Sequence, residues 1–283
     1  MPEVRTPAGA VIHYDVHGPD DAEPLVLIEG LGAHLLGWRE GFWAPLADAG
    51  FRVVRFDNRD VGLSQKYPGQ TYGLSDLAHD THHLVEALDL GPVHVVGQSM
   101  GGMVAQALAI HHRHDVRSLA LFYTAASARH LVGDDRDASS LGAIPRATTR
   151  EEAVARHVEQ ERVCASATYV FDAEWRATLG GLMWDRCYDP GGVVRQREAL
   201  GDVGLDLDAL STVDVPTLLV HGDADGLISP DGSRELHRTI PGSELWIVDG
   251  MGHELPQELW PRFTDRIVAN ARSAGRREAT RVG

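Results

Sequence analysis

Six short runs rich in β-branched and aromatic residues recur along the chain, and what lies between them limits the folds available. They are Pro24-Leu25-Val26-Leu27-Ile28, Phe51-Arg52-Val53-Val54-Arg55-Phe56, Val93-His94-Val95-Val96, Leu119-Ala120-Leu121-Phe122, Thr217-Leu218-Leu219-Val220 and Glu244-Leu245-Trp246-Ile247-Val248. Runs of this length and composition read as buried strands. The segments between them carry apolar residues at helical spacing: Trp38, Phe42 and Leu46, then Leu77, Thr81, Leu84 and Leu88, then Trp260, Phe263, Ile267 and Ala271. Strand alternating with helix predicts an α/β fold, a mostly parallel central sheet flanked by helices, with its site beyond the carboxyl ends of the strands. Val4 to Gly18, turning at Pro7-Ala8-Gly9, reads as an antiparallel hairpin at the sheet edge.

The rhythm stops between about 126 and 210, where helical segments over Glu151–Cys164 and Ala173–Cys187 replace strands. This predicts a core of 1–125 and 211–283 with a helical cap at 126–210. Polar, Gly-rich stretches bound the cap, Gly133-Asp134-Asp135-Arg136-Asp137 and Gly201-Asp202-Val203-Gly204. Its Trp175, Leu179, Leu182, Met183 and Trp184 suit a lid, although most such residues simply pack an insertion onto its core. Met183 and Trp184, with Gly30 of an early Gly-rich loop, are the candidate substrate contacts. The tail Ser273–Gly283 is polar and reads as frayed.

Charge narrows the partners. With 26 Lys+Arg against 41 Asp+Glu the net charge is −15, which repels nucleic acid and anionic lipid in a chain without a basic patch. A small-molecule substrate is expected, with no nucleic acid and no membrane insertion. The start lacks a basic, apolar leader and no stretch reaches the ~20 apolar residues of a membrane helix, so a cytoplasmic protein is expected. The two cysteines, Cys164 and Cys187, form no CxxC and read as ordinary buried thiols.

The sharpest chemical signal is Gly97-Gln98-Ser99-Met100-Gly101-Gly102, directly after one strand and directly before the helical run 103–111. A serine on a strained strand-to-helix turn needs small neighbours where backbones crowd, which Gly97 and Gly101 supply. Ser99 is therefore the candidate nucleophile. A serine hydroxyl needs a base, and the base an orienting carboxylate. Two strand ends offer them: His221-Gly222-Asp223-Ala224-Asp225 and Asp249-Gly250-Met251-Gly252-His253. His253 is the candidate base, and Asp223 or Asp225 the acid.

Other motifs lead nowhere. Gly30-Leu31-Gly32-Ala33-His34-Leu35 lacks the third glycine of a dinucleotide fingerprint, and His253-Glu254-Leu255-Pro256-Gln257 lacks the second histidine of a zinc protease. His111-His112-Arg113-His114 reads as a solvated helix end, and adjacent His82 and His83 as facing different directions, so no metal site is expected.

With these residues in place, the chain resembles the α/β-hydrolases. The resemblance rests on the elbow at Ser99, on Asp57-Asn58-Arg59-Asp60-Val61-Gly62-Leu63-Ser64 after the fourth strand, on His221-Gly222 with Asp225 and Pro230 after the seventh, and on Gly252-His253 after the eighth. These matches span residues 24 to 256. Within the family, Gly30-Leu31-Gly32, the Asn58-Arg59-Asp60-Val61-Gly62 run and Gly250 to Pro256 look most similar to bacterial esterases of the aclacinomycin methylesterase and lipase-G-like kind. The resemblance implies Ser99 as nucleophile, Asp225 rather than Asp223 as acid, and His253 as base. It also implies an oxyanion hole from the backbone N–H groups of Met100 and Leu31, and no cofactor. One departure stands out: where many relatives carry His-Gly, this chain has Glu29-Gly30. A carboxylate there should meet a cation, Arg59 being the candidate, or face water.

The expected function is a serine hydrolase cleaving carboxylic esters through an acyl-enzyme. The alternatives are a thioesterase or lysophospholipase on longer acyl chains, a cofactor-free perhydrolase, or a non-catalytic ligand receptor on a hydrolase scaffold.

Overall fold

A computed structural model describes residues 2–7, 9–132, 146–201 and 203–282. The expected edge hairpin is present, with β1 (Glu3–Arg5) antiparallel to β2 (Val11–His17) and β2 antiparallel to β4 (Phe51–Phe56). The remaining strands, β3 (Glu23–Ile28), β5 (Val93–Gln98), β6 (Val116–Phe122), β7 (Thr217–Gly222) and β8 (Glu244–Val248), pair in parallel. The sheet order is β1-β2-β4-β3-β5-β6-β7-β8, which puts β5, the strand before Ser99, near the middle.

Alternation along the strands sorts two apolar layers. Val26, Ile28, Val54, Val95, Leu119, Leu121 and Leu219 face a cluster with Leu77 and Leu84 of α2 (Leu74–Ala87), Val104 and Leu108 of α3 (Met100–His111) and Leu236 of α8 (Asp231–Thr239). Leu25, Leu27, Val53, Val96, Ala120, Phe122 and Val220 face the other way, onto Phe42 and Leu46 of α1 (Glu40–Asp48) and Phe263, Ile267 and Ala271 of α9 (Trp260–Val282). A helix on each face is what strands apolar on both sides require. Helix α9 runs Trp260–Val282, through the tail that the sequence predicts to be frayed. Its Ala, Arg and Glu are strong helix formers and simply continue the preceding turns.

Four helices lie between β6 and β7 among the described residues: α4 (Arg150–Cys164), α5 (Ala173–Arg186), α6 (Pro190–Leu200) and α7 (Leu207–Ser211). Their starts are written in the sequence. Thr149 caps α4 by accepting from the Glu152 N–H at 3.2 Å, Asp172 caps α5, and Asp189 caps α6 ahead of Pro190 in its first turn. The expected boundary at Gly133–Asp137 lies outside the described residues, as do Ala8 of the hairpin turn and Asp202 of the second boundary. No helix among the described residues is long and apolar enough to cross a membrane.

Candidate active site

The turn from β5 to α3 is tight enough to dictate its residues. A Cβ at Gly97 would lie 2.3 Å from the Gly101 carbonyl oxygen, and one at Gly101 would lie 2.2 Å from that of Ile28. Ser99 between them has φ 54° and ψ −120°, a left-handed conformation costly for a residue with a side chain. Hydrogen bonds hold it: the Ser99 N–H donates to Phe122 O at 3.0 Å, and Thr124 Oγ1 donates to Ser99 O at 2.8 Å.

Ser99 Oγ lies 2.8 Å from His253 Nε2, and His253 Nδ1 lies 2.8 Å from Asp225 Oδ2. The other carboxylate oxygen of Asp225 accepts from the N–H groups of Leu227 and Ile228 at 2.8 and 2.9 Å. Burial alone would raise the Asp225 pKa, but the bonds from His221, His253 and Ile228 outweigh it and hold the carboxyl well below its usual range. Asp223 instead accepts from the Gly250 N–H at 2.7 Å, bracing the turn that leads to His253. The three resemblance-implied residues thus meet in one hydrogen-bonded line, and the alternative acid lies outside it. Such a line can draw a proton off a hydroxyl and stabilise the imidazolium that results.

Gly30 approaches Ser99 closely, a Cβ there being 3.4 Å from Ser99 Cβ. Leu31 follows it, and Met100 follows the serine as the first residue of α3. A cavity of about 1480 Å³ opens over this point, and Ser99, His253, Gly30, Leu31, Met100, Met183 and Trp184 all line it. Leu182 points elsewhere and is exposed, and Trp175 stacks under the Arg39 guanidinium at 4.3 Å. Cys164 also lines the cavity, but burial pushes its thiol up to about 12, so it stays protonated.

Among the described residues Glu29 pairs with no cation, and it is withdrawn from solvent. Arg59 turns away to Asp80, donating to its two oxygens at 2.6 and 2.8 Å. Glu29, only 1% exposed, accepts from the Gly30 N–H at 3.1 Å and from Gln98 Nε2. Burial pushes its pKa up to about 8, so the charge expected from sequence is replaced by a proton. Gln98 accepts in turn from the Tyr123 hydroxyl, and the Tyr123 ring lies 4.6 Å from the His253 ring.

Several supporting residues escape sequence reasoning because they come from remote segments. Gln196 on α6, fully buried, accepts from Gly32 N–H at 2.8 Å and donates to Arg59 O at 2.7 Å, fixing the loop that carries Leu31. The Cys164 carbonyl at the end of α4 accepts from His253 N–H at 2.8 Å. Arg186 of α5 reaches Asp57 at 2.5 Å, and Arg195 of α6 reaches Asp60 at 2.6 Å. Only Gln98 had a local signal, as the residue before the nucleophile. Among the described residues, the His, Asp and Glu groupings that could take a metal lie at His82, His83, Glu86, His112 and Asp115. They sit at the far end of the twelve-residue α3 from Ser99, about 18 Å along its axis.

Comparison with known proteins agrees with this fold. A family profile described as alpha/beta hydrolase fold matches residues 23–257. Rhodomycin D methylesterase of Streptomyces peucetius is 28% identical over 279 residues, covering 90% of this chain and 93% of that protein. Among solved structures, a meta-cleavage product hydrolase from Pseudomonas fluorescens superposes with a TM-score of 0.79 at 20% identity, over 97% of this chain and 98% of that one. A thermophilic esterase from Thermogutta terrifontis gives 0.75 at 24% identity, over 97% and 99%. At such identities the two structures speak for the fold.

Proposed function

Because the chain belongs to the alpha/beta hydrolase fold family, we propose that it is a serine hydrolase that cleaves carboxylic esters through an acyl-enzyme. The carrying observation is the line from Ser99 Oγ through His253 to Asp225, each link 2.8 Å. In this reading His253 takes the Ser99 proton as Oγ attacks the ester carbonyl, and Asp225 steadies the imidazolium. The Met100 and Leu31 N–H groups receive the developing oxyanion. His253 returns the proton to the leaving alcohol, and a water molecule, activated by the same imidazole, releases the acid and frees Ser99. Residues 126–210 act as the cap, and Met183, Trp184 and Gly30 touch the substrate.

The cavity favours a bulky ester over a small one, since about 1480 Å³ exceeds the ~300–1,000 Å³ of common ligand pockets. The methylesterase relative is consistent with an ester of a small alcohol. The test is labelling by a fluorophosphonate together with ester turnover. The native chain should label at Ser99 and cleave esters, while Ser99→Ala should do neither and lose at least ~10³-fold in rate. A folded native chain that neither labels nor turns over would instead be a ligand receptor on this scaffold.

A further inference from the structure

Histidines gather where α2 passes the C-terminal end of α3. The His82 and His112 rings stack at 3.8 Å, and the His82 and His83 ring centres are 5.0 Å apart. The sequence expectation that His82 and His83 diverge is not met. Glu86 lies four residues after one and three after the other, and both spacings return to a shared helix face. Glu86 Oε2 is 3.3 Å from His82 Nε2 and 3.2 Å from His83 Nδ1. Behind them, Asp115 Oδ2 lies 2.6 Å from His82 Nδ1.

We propose that His82 Nε2, His83 Nδ1 and Glu86 Oε2 bind a divalent cation of the zinc class, with Asp115 as the positioning residue behind His82. The three donor atoms lie within 4.8 Å of one another, with Glu86 Oε2 between the two nitrogens and Asp115 behind His82, so a cation seated among them meets all three. Tetrahedral coordination at about 2.0–2.1 Å sets ligand atoms about 3.3 Å apart, which is the spacing of Glu86 Oε2 from each nitrogen. Two imidazole nitrogens and one carboxylate are a borderline donor set suited to zinc, and a carboxylate on the far nitrogen of a ligating histidine raises its basicity and fixes its ring. The Glu86 side chain is 56% exposed, so water can enter and complete the shell. The group is remote from Ser99, so the ion would serve this corner of the fold rather than the ester chemistry.

The test titrates zinc chloride into chelator-treated, full-length protein by calorimetry, with melting temperature as a second readout and circular dichroism to confirm folding. The native chain should show one saturable site and a zinc-dependent rise in Tm. His83→Ala and Glu86→Gln should each remove the Tm rise and weaken binding at least about tenfold, and Asp115→Asn should weaken it by about tenfold. His112→Ala should leave binding intact, and ester turnover of His83→Ala should equal that of the native chain. Three results would overturn the proposal: no saturable binding, undiminished binding in Glu86→Gln, or binding lost in His112→Ala yet kept in His83→Ala. The last would put the ion on the other face of His82, with His112 and Asp115.

Discussion

At position 29 a buried carboxyl group sits one peptide from the loop that approaches the nucleophile, and its protonation state sets a pH dependence. Folded, Glu29 titrates near pH 8; unfolded, it returns to its ordinary value of 4.5. Between those values the folded chain holds a proton that the unfolded chain has lost, so stability falls as pH rises through the window and levels off above it. The whole difference is of order 5 kcal/mol. Glu29→Gln keeps the shape and removes the titration. Its Tm should therefore hold between pH 4.5 and 8 where that of the native chain declines. Above that window the native chain also places a buried negative charge beside Gly30, opposing an oxyanion, so its kcat/KM should drop on the alkaline side while that of the variant does not. Identical profiles for the two proteins would show that Glu29 ionises elsewhere on the scale. The sequence located this anomaly without resolving it. A carboxylate in place of a common histidine is visible in a string of letters, but its neutralisation comes from burial among residues remote in sequence, such as Gly37, where a Cβ would lie 2.6 Å from Glu29 Oε1, and it prevails although the Gln98 hydrogen bond favours the charged form.

Helices α5 and α6 are tied to the core through the Asp57–Arg186 and Asp60–Arg195 pairs, and the burial of the first decides its weight. Both its side chains are withdrawn from water, at 8% and 0% exposure. Arg186→Leu would leave the Asp57 carboxylate buried without its cation, and breaking such a pair costs about 3–5 kcal/mol. A clear fall in Tm is expected. Arg150→Ala removes a pair with Asp185 that lies in solvent, and there Tm should barely move. Equal effects of the two variants would refute the distinction. All six strand runs were legible because period and β-branching are local properties, and the helix faces on α1, α2 and α9 followed from spacing alone. The ties of α5 and α6 were not. An arginine at 186 or 195 reads as ordinary helix surface, and its partners lie 129 and 135 residues away.

Across the whole molecule, the parallel sheet brings the carboxyl ends of β5, β7 and β8 to one edge, with β6 between the first two, and α4, α5 and α6 roof the space above them. Ser99, Asp225 and His253 come from three separate segments, and topology alone makes them neighbours. That much was legible, because turns after parallel strands share one edge. The volume under the roof was not, since it depends on where Met183, Trp184 and Val193 stand relative to Ser99, and no sequence period encodes a distance between layers. Volume in turn sets the substrate preference. A cavity of about 1480 Å³ leaves a two-carbon acyl group largely in contact with water. Each added methylene that reaches the apolar wall gains about 0.8 kcal/mol, or roughly fourfold in kcat/KM. Initial rates on p-nitrophenyl esters of increasing acyl length should therefore climb by about that factor per methylene until the cavity is filled, with Ser99→Ala silent throughout. The gain should fall mainly in KM, because a remote methylene contacts the wall equally in the ground state and the transition state. A series that peaks at acetate would mean that the productive pose uses only the polar floor around Ser99, and the roof would then select the alcohol rather than the acid.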